Sequence, residues 1–259
     1  MNLLAAISLT AGLVGIILFI NGFEFLFMTR SRLFYNVWTF ENLKAELQTQ
    51  IPLPKVLTGF IFSDRSFKYL PTLQMCLTIL MLYKISLWTV IALLVVHLIT
   101  CIRFRGTFNG GSDMMIVVVL TGLIISLINP GWQKAGMIYV AIHTLFSYFK
   151  AGFVKIKSRE WRQGSALKTF LERSPFELIR TIASELQDRP LLNLSLCWLV
   201  IFFELSVVFL VLFPQLKIIY LIGALIFHLM IGFGFGLNRF FWAWLSAWPA
   251  VFFTLSLYK

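Results

Sequence analysis

The residues best placed to do chemistry in this chain are ionisable groups set inside apolar runs. Glu204 lies in the middle of one such run and His228 in the next, while His97 and His143 lie in two earlier ones. A charge in hydrocarbon costs a few kcal/mol on insertion scales, so an ionisable side chain there is a functional candidate. Glu204 has to be protonated or paired. A single histidine is easier to keep, because one hydrogen bond between helices satisfies a neutral imidazole.

Two polar stretches border the apolar runs. Arg105 to Asp113 is a glycine-rich turn holding Asn109, Gly110 and Gly111. Its amides and the helix start at Asp113 suit a ligand oxygen, although a plain helix cap has the same form. The second stretch runs from Tyr148 through Ala151 and Gly152 to Lys155, then on to Trp161, Gly164 and Ala166. It brings Lys155 to the edge of its apolar run, where an amine shielded from water acts as a base. The plainer alternative is a lysine that snorkels to the headgroups. Lys155, Asp113, Glu204 and His228 are thus the candidate catalytic residues. Asn109, Trp161, Tyr148 and His143 are the candidate ligand contacts.

Other chemistries leave no trace. There is no HxxxH or HExxH spacing, no phosphate-binding glycine pattern and no serine nucleophile elbow. Cys76, Cys101 and Cys197 are odd in number, form no CxxC and read as small buried thiols. No metal site is expected. Gly232-Phe233-Gly234-Phe235-Gly236 reads as close helix packing or a break in a helix.

The elements that must position these residues follow from composition. Of 259 residues, 59% are hydrophobic and 13% charged, against about 25% charge in a soluble domain. So apolar a chain cannot cover itself with polar groups, and lipid is part of its solvent. The expected fold class is all-α, a polytopic membrane bundle of about eight transmembrane helices in a single domain over 1–259. The spans fall at about 3–28, 69–84, 86–102, 114–130, 135–150, 191–213, 218–237 and 240–258. The first lacks a positive leader segment and a small-residue cleavage site, and is expected to remain uncleaved.

Two long connections are expected to lie at the membrane surface as amphipathic segments. One carries Trp38, Phe40, Leu43 and Leu47. The other opens with Ser174-Pro175-Phe176-Glu177, in the form of a capping box, and continues with Ile179, Ile182 and Leu186 on one face.

The net charge of +11 points to anionic lipid headgroups rather than nucleic acid, since no basic helix face stands clear of the apolar runs. Of the 22 Lys and Arg, 18 fall in connections on one side of the bundle and 4 on the other. That asymmetry places both termini outside and the two long connections in the cytoplasm. Cysteines introduced at Gln48 and Gln187 are then expected to resist an impermeant maleimide applied to intact cells, while one at Lys134 labels. Labelling at Gln187 from outside would reverse the orientation.

Taken together, Asn109 with Asp113, the Tyr148–Lys155 step, Trp161 with Gly164 and Ala166, Glu204, and Phe227-His228 form an ordered set. In order and spacing it resembles the horizontally transferred transmembrane domain family, whose best-known member is the vitamin K-dependent γ-carboxylase. The likeness covers about residues 100–250. It implies Lys155 as the base toward a reduced quinone. It also implies kinship with bacterial membrane proteins that mature secreted peptide toxins, hence a bacterial inner (cytoplasmic) membrane. A quinone-like compound or a lipid is the implied ligand, and a peptide substrate or a membrane protein the implied partner.

γ-Carboxylation itself is not carried over. Gly110 stands where the carboxylase has a histidine, and the chain runs out at Lys259, where the carboxylase has a large lumenal domain. The family's reactive face is lumenal, whereas the charge count puts Lys155 in the cytoplasm. Two functions stay open: a membrane enzyme or maturation factor that binds a lipophilic ligand, and a non-catalytic subunit of a larger membrane complex. Under the first, Glu204 and His228 are expected to approach within hydrogen-bond reach, directly or through one water, and Asn109, Asp113, Lys155 and Trp161 to converge.

Overall fold

The computed structural model describes residues 1–31, 37–104 and 110–258, and among them every regular element is helical. Six helical stretches are long and apolar enough to cross a membrane: Leu3–Met28, Leu87–Phe104, Gly111–Ile128, Pro130–Lys157, Pro190–Leu212 and Pro214–Phe235. The chain is a multi-pass integral membrane protein. The expected count of about eight included two further long helices, and both exist. Asp64–Tyr83 starts with Asp64, Arg65 and Lys68 and buries Gln74 and Thr78. Asn238–Leu255 opens with Asn238 and Arg239 and carries Pro249 among its Phe and Trp residues, and it buries Ala243, Ser246, Ala247, Trp248 and Ala250 among others.

The helices used below are α1 (Leu3–Met28), α2 (Phe40–Gln50), α3 (Lys55–Ile61), α4 (Asp64–Tyr83), α5 (Leu87–Phe104), α6 (Gly110–Ile128) and α7 (Gln133–Lys157). They continue with α8 (Ala166–Glu172), α9 (Glu177–Gln187), α10 (Pro190–Leu205), α11 (Lys217–Phe235) and α12 (Asn238–Leu255). The chain packs as two compact units, Ile7–Gly136 and Met1–Ala6 with Met137–Lys259.

Within the unit Ile7–Gly136, α1 and α4 touch through small residues and one amide. The Gln74 Nε2 group donates to the Leu18 carbonyl at 2.7 Å, which satisfies a buried polar side chain in an apolar setting. Phe25, Phe67 and Phe104 form an aromatic cluster at the end of α5, with Phe25 and Phe104 stacked at 4.8 Å. Arg103, placed by the sequence in a positively charged connection, is fully buried there. Its guanidinium donates to Asp64 Oδ1 and to the Trp38 carbonyl, each at 2.6 Å. The first long connection turns its apolar face inward, with Leu43 and Leu47 packing on Phe62.

The α6–α7 hairpin depends on Gly136. A Cβ there would lie 2.2 Å from the Gly122 carbonyl and 2.1 Å from Ser126 Oγ, so only glycine lets these backbones meet. Overpacking of this kind costs about 1–3 kcal/mol. Gly136→Ala is expected to lower the midpoint of thermal unfolding in detergent, and an unchanged midpoint would contradict the close approach.

In the other unit, a core of Ala141, Tyr148, Val207, Leu210, Ala224, Trp248, Val251 and Leu255 joins α7 to the C-terminal helices. The second long connection differs from expectation at its start. Helix α9 begins at Glu177 with no side-chain cap. Ser174 does not cap it, because its hydroxyl donates to the Gly234 carbonyl at 2.5 Å and accepts from the Phe176 amide. A tertiary tie to the end of α11 has replaced the local one. On α9, Ala183 and Leu186 are buried, but Ile182 is exposed, so the inward face is rotated from the expected one. The Gly232–Gly236 run stays helical through Phe235 and then stops. Gly236, at φ 71°, is the left-handed cap that ends α11.

Candidate functional site

Lys155 sits in the last turn of α7 and Glu204 near the end of α10. The two helices meet at Gly152, where a Cβ would lie 2.9 Å from the Leu205 amide nitrogen and 3.0 Å from Glu204 Cβ. Glycine one turn before Lys155 therefore lets α10 come close enough for the ion pair. The Lys155 Nζ donates to both carboxylate oxygens of Glu204, each at 2.7 Å. The Glu204 side chain is 3% exposed and that of Lys155 19%. The carboxylate is thus shut away, while the Lys155 side chain stays partly exposed. Trp161 covers it from the other side, with Nζ 5.1 Å from the ring centroid, in cation–π range.

Ser158 positions that ring. It caps the short turn Arg159–Arg162, its hydroxyl accepting from the Trp161 amide. Directly after Glu204 the helix tightens to a 3-10 turn at Ser206–Val208, a local irregularity that often accompanies functional positions. The Phe203 carbonyl beside it accepts from the hydroxyls of Tyr220 and Ser206.

A second polar pair lies deeper in the same unit. Tyr148 and His228 are both buried and share a hydrogen bond between the phenol oxygen and Nε2 at 2.8 Å. Trp244 stacks on the imidazole at 5.0 Å and donates through Nε1 to Ser147 Oγ at 3.2 Å. His228 Nδ1 is buried and takes no hydrogen bond among the described residues. Buried polar atoms almost always find partners, so this nitrogen is aimed at something or tolerated at a cost.

Glu204 and His228 make no direct hydrogen bond with each other, each having taken another partner. Glu204 pairs with Lys155, and His228 with Tyr148. Charge decides the exchange: an ammonium compensates a buried carboxylate far better than a neutral imidazole does. Tyr148, Lys155, Trp161, Glu204 and His228 lie in one compact unit. His143, on an exposed face of α7, packs on Tyr139 at 4.4 Å and joins neither pair. Asn109 lies outside the described residues. Asp113 belongs to the unit Ile7–Gly136, where its carbonyl meets His97 Nε2 at 3.1 Å.

Residues 125–256 match the model of the HTTM domain. The chain belongs to the HTTM family. No curated protein and no solved structure matches it. The HTTM region contains both polar pairs and Trp161, whereas Asp113 precedes it. Ser147 and Trp244, which hold the His228 ring, had no signal in the sequence. A serine and a tryptophan in apolar helices are ordinary, and only the fold puts them on one imidazole.

Proposed function

We propose that this HTTM protein binds a lipophilic molecule with a polar head, a quinone-like compound or a lipid, in a bacterial cytoplasmic membrane. In this reading it serves as a membrane enzyme or a peptide-maturation factor. The observation that carries the reading is the Lys155–Glu204 pair. Ion pairs between apolar helices are retained against a desolvation penalty, and this one keeps its Lys155 side chain partly exposed, with Nζ 5.1 Å from the Trp161 ring centroid.

The chemistry open to such a pair follows from its symmetry. Ammonium–carboxylate and amine–carboxylic acid differ only by the position of one proton along a 2.7 Å hydrogen bond. Moving that proton to Glu204 frees the Lys155 amine as a base without changing the net charge of the site. The reverse transfer restores a donor for a ligand oxygen. Trp161 supplies a flat apolar face for a ring or an acyl chain, and the Tyr148–His228 pair offers a further polar end. Cavities that combine apolar walls with a few fixed polar groups are what such ligands require.

The test is extraction. Protein purified in mild detergent from wild-type cells is expected to carry a hydrophobic small molecule on native mass spectrometry, and Lys155→Ala to carry less of it. Equal lipid and quinone content in the two proteins would remove the reading. A stoichiometric membrane-protein partner retained by both would favour the alternative, a non-catalytic subunit.

A further inference from the structure

We propose that His97, Cys101 and Asp113 form a binding site for a single borderline-soft divalent cation, with Zn²⁺ the best fit. His97 and Cys101 are one helical turn apart on the same face of α5, and Asp113 faces them from the first turn of α6. One ligand atom from each lies within 4.8 Å of the other two. His97 and Asp113 are buried and Cys101 is half-buried.

The distances suit tetrahedral coordination. Zn–N near 2.0 Å and Zn–S near 2.3 Å at the tetrahedral angle put nitrogen and sulfur about 3.5 Å apart. The observed separation of His97 Nε2 and Cys101 Sγ is 3.5 Å. Metal binding replaces the contact of Nε2 with the Asp113 carbonyl, and the imidazole proton moves to Nδ1 so that the ring stays neutral. The Asp113 carboxylate, with an oxygen within 4.8 Å of both other ligand atoms, completes the set.

Two further observations point the same way. Phe25, His97, Thr100, Cys101, Phe104 and Asp113 line a cavity of about 10 Å³, room for one water-sized body. Charge also balances. Binding takes the Cys101 thiol proton to solvent, so thiolate, ionised Asp113, neutral imidazole and a divalent ion sum to zero. A neutral assembly is what an apolar environment accepts. Imidazole, thiolate and carboxylate together select zinc over calcium or magnesium, which prefer oxygen alone. Three protein ligands are the number found in open zinc sites rather than closed structural ones.

The spacing H-x-x-x-C is absent from the usual zinc patterns, and the third ligand sits on the next helix. The test uses full-length detergent-purified protein stripped with chelator and titrated with Co²⁺. One Co²⁺ per chain is expected, with thiolate-to-metal charge-transfer absorption that Zn²⁺ displaces. Cys101→Ser loses this absorption, and Asp113→Asn weakens binding about tenfold or more. Cys76→Ser leaves both unchanged.

A measurement on the wild-type protein guards against variants that fail to fold. Zn²⁺ is expected to protect Cys101, but not the exposed Cys76, from alkylation read out by peptide mass spectrometry. Absence of the Co²⁺ band in wild type, its persistence in Cys101→Ser, or equal alkylation of Cys101 with and without Zn²⁺ would each overturn the site.

Discussion

Glu204→Leu is expected to destabilise the protein by about 3–5 kcal/mol, because it strands the Lys155 ammonium against apolar helices. With 19% of the Lys155 side chain exposed, partial solvation holds the loss toward the lower end of that range. The double variant Lys155→Met/Glu204→Leu is expected to recover most of the stability, since replacing both members of a buried pair by apolar groups is often neutral. The two positions are in contact, so their effects do not add. Thermal unfolding in detergent, followed by tryptophan fluorescence, measures both. The ligand content of the double variant then separates structure from function. A purely structural pair leaves that content unchanged, whereas a functional one gives a stable protein without bound ligand. Glu204→Leu melting with the wild type would show that the carboxyl is not held as a charge.

What the sequence exposes here is set by what kind of interaction each residue makes. Membrane helices are legible because burial in lipid demands long apolar runs, and α1, α5, α6, α7, α10 and α11 all fall where hydropathy puts them. Glu204 is legible because a carboxyl among apolar residues is conspicuous. Its partner is not, because pairing depends on the axial register of α7 against α10, which Gly152 fixes through a backbone contact. Lys155 looks equally like an anchor at the headgroups until α10 is placed beside it.

Arg103 shows the converse. Counted as a positive charge in a connection, it is a buried pair with Asp64, and no local pattern joins residues so far apart in the chain. His97, Cys101 and Asp113 were each visible singly, but only the placing of the start of α6 beside the end of α5 brings them together. The Ser174 hydroxyl is a smaller case of the same kind. The local rule for a helix start was satisfied in the sequence, and a tertiary acceptor, the Gly234 carbonyl, took the hydroxyl instead.

Gly164→Ala is expected to cost about 2–5 kcal/mol and to disturb the Lys155–Glu204 pair without touching either residue. Gly164 stands at φ 83°, a left-handed conformation that burdens an L residue by about 1–2 kcal/mol. The space is closed as well. A Cβ at Gly164 would lie 2.6 Å from Leu194 Cα and 2.8 Å from Leu194 N, both backbone atoms of α10. No side chain can rotate away to relieve that contact, so overpacking adds about 1–3 kcal/mol or moves the helix.

Helix α10 carries Glu204, and the segment before Gly164 carries Trp161. A displacement at Leu194 therefore changes the distance between the carboxylate and the Lys155–Trp161 side. The control is Gly12→Ala, in the middle of α1, where a Cβ meets nothing within 4 Å. There the same substitution is expected to be neutral or to stabilise by about 0.5–1 kcal/mol, because alanine is the better helix former. Melting temperatures of the two variants in one detergent measure the contrast. Adding the Lys155→Met/Glu204→Leu background shows whether the Gly164 effect runs through the pair. If it does, the loss shrinks there. Gly164→Ala and Gly12→Ala melting alike would mean that α10 does not rest on this turn.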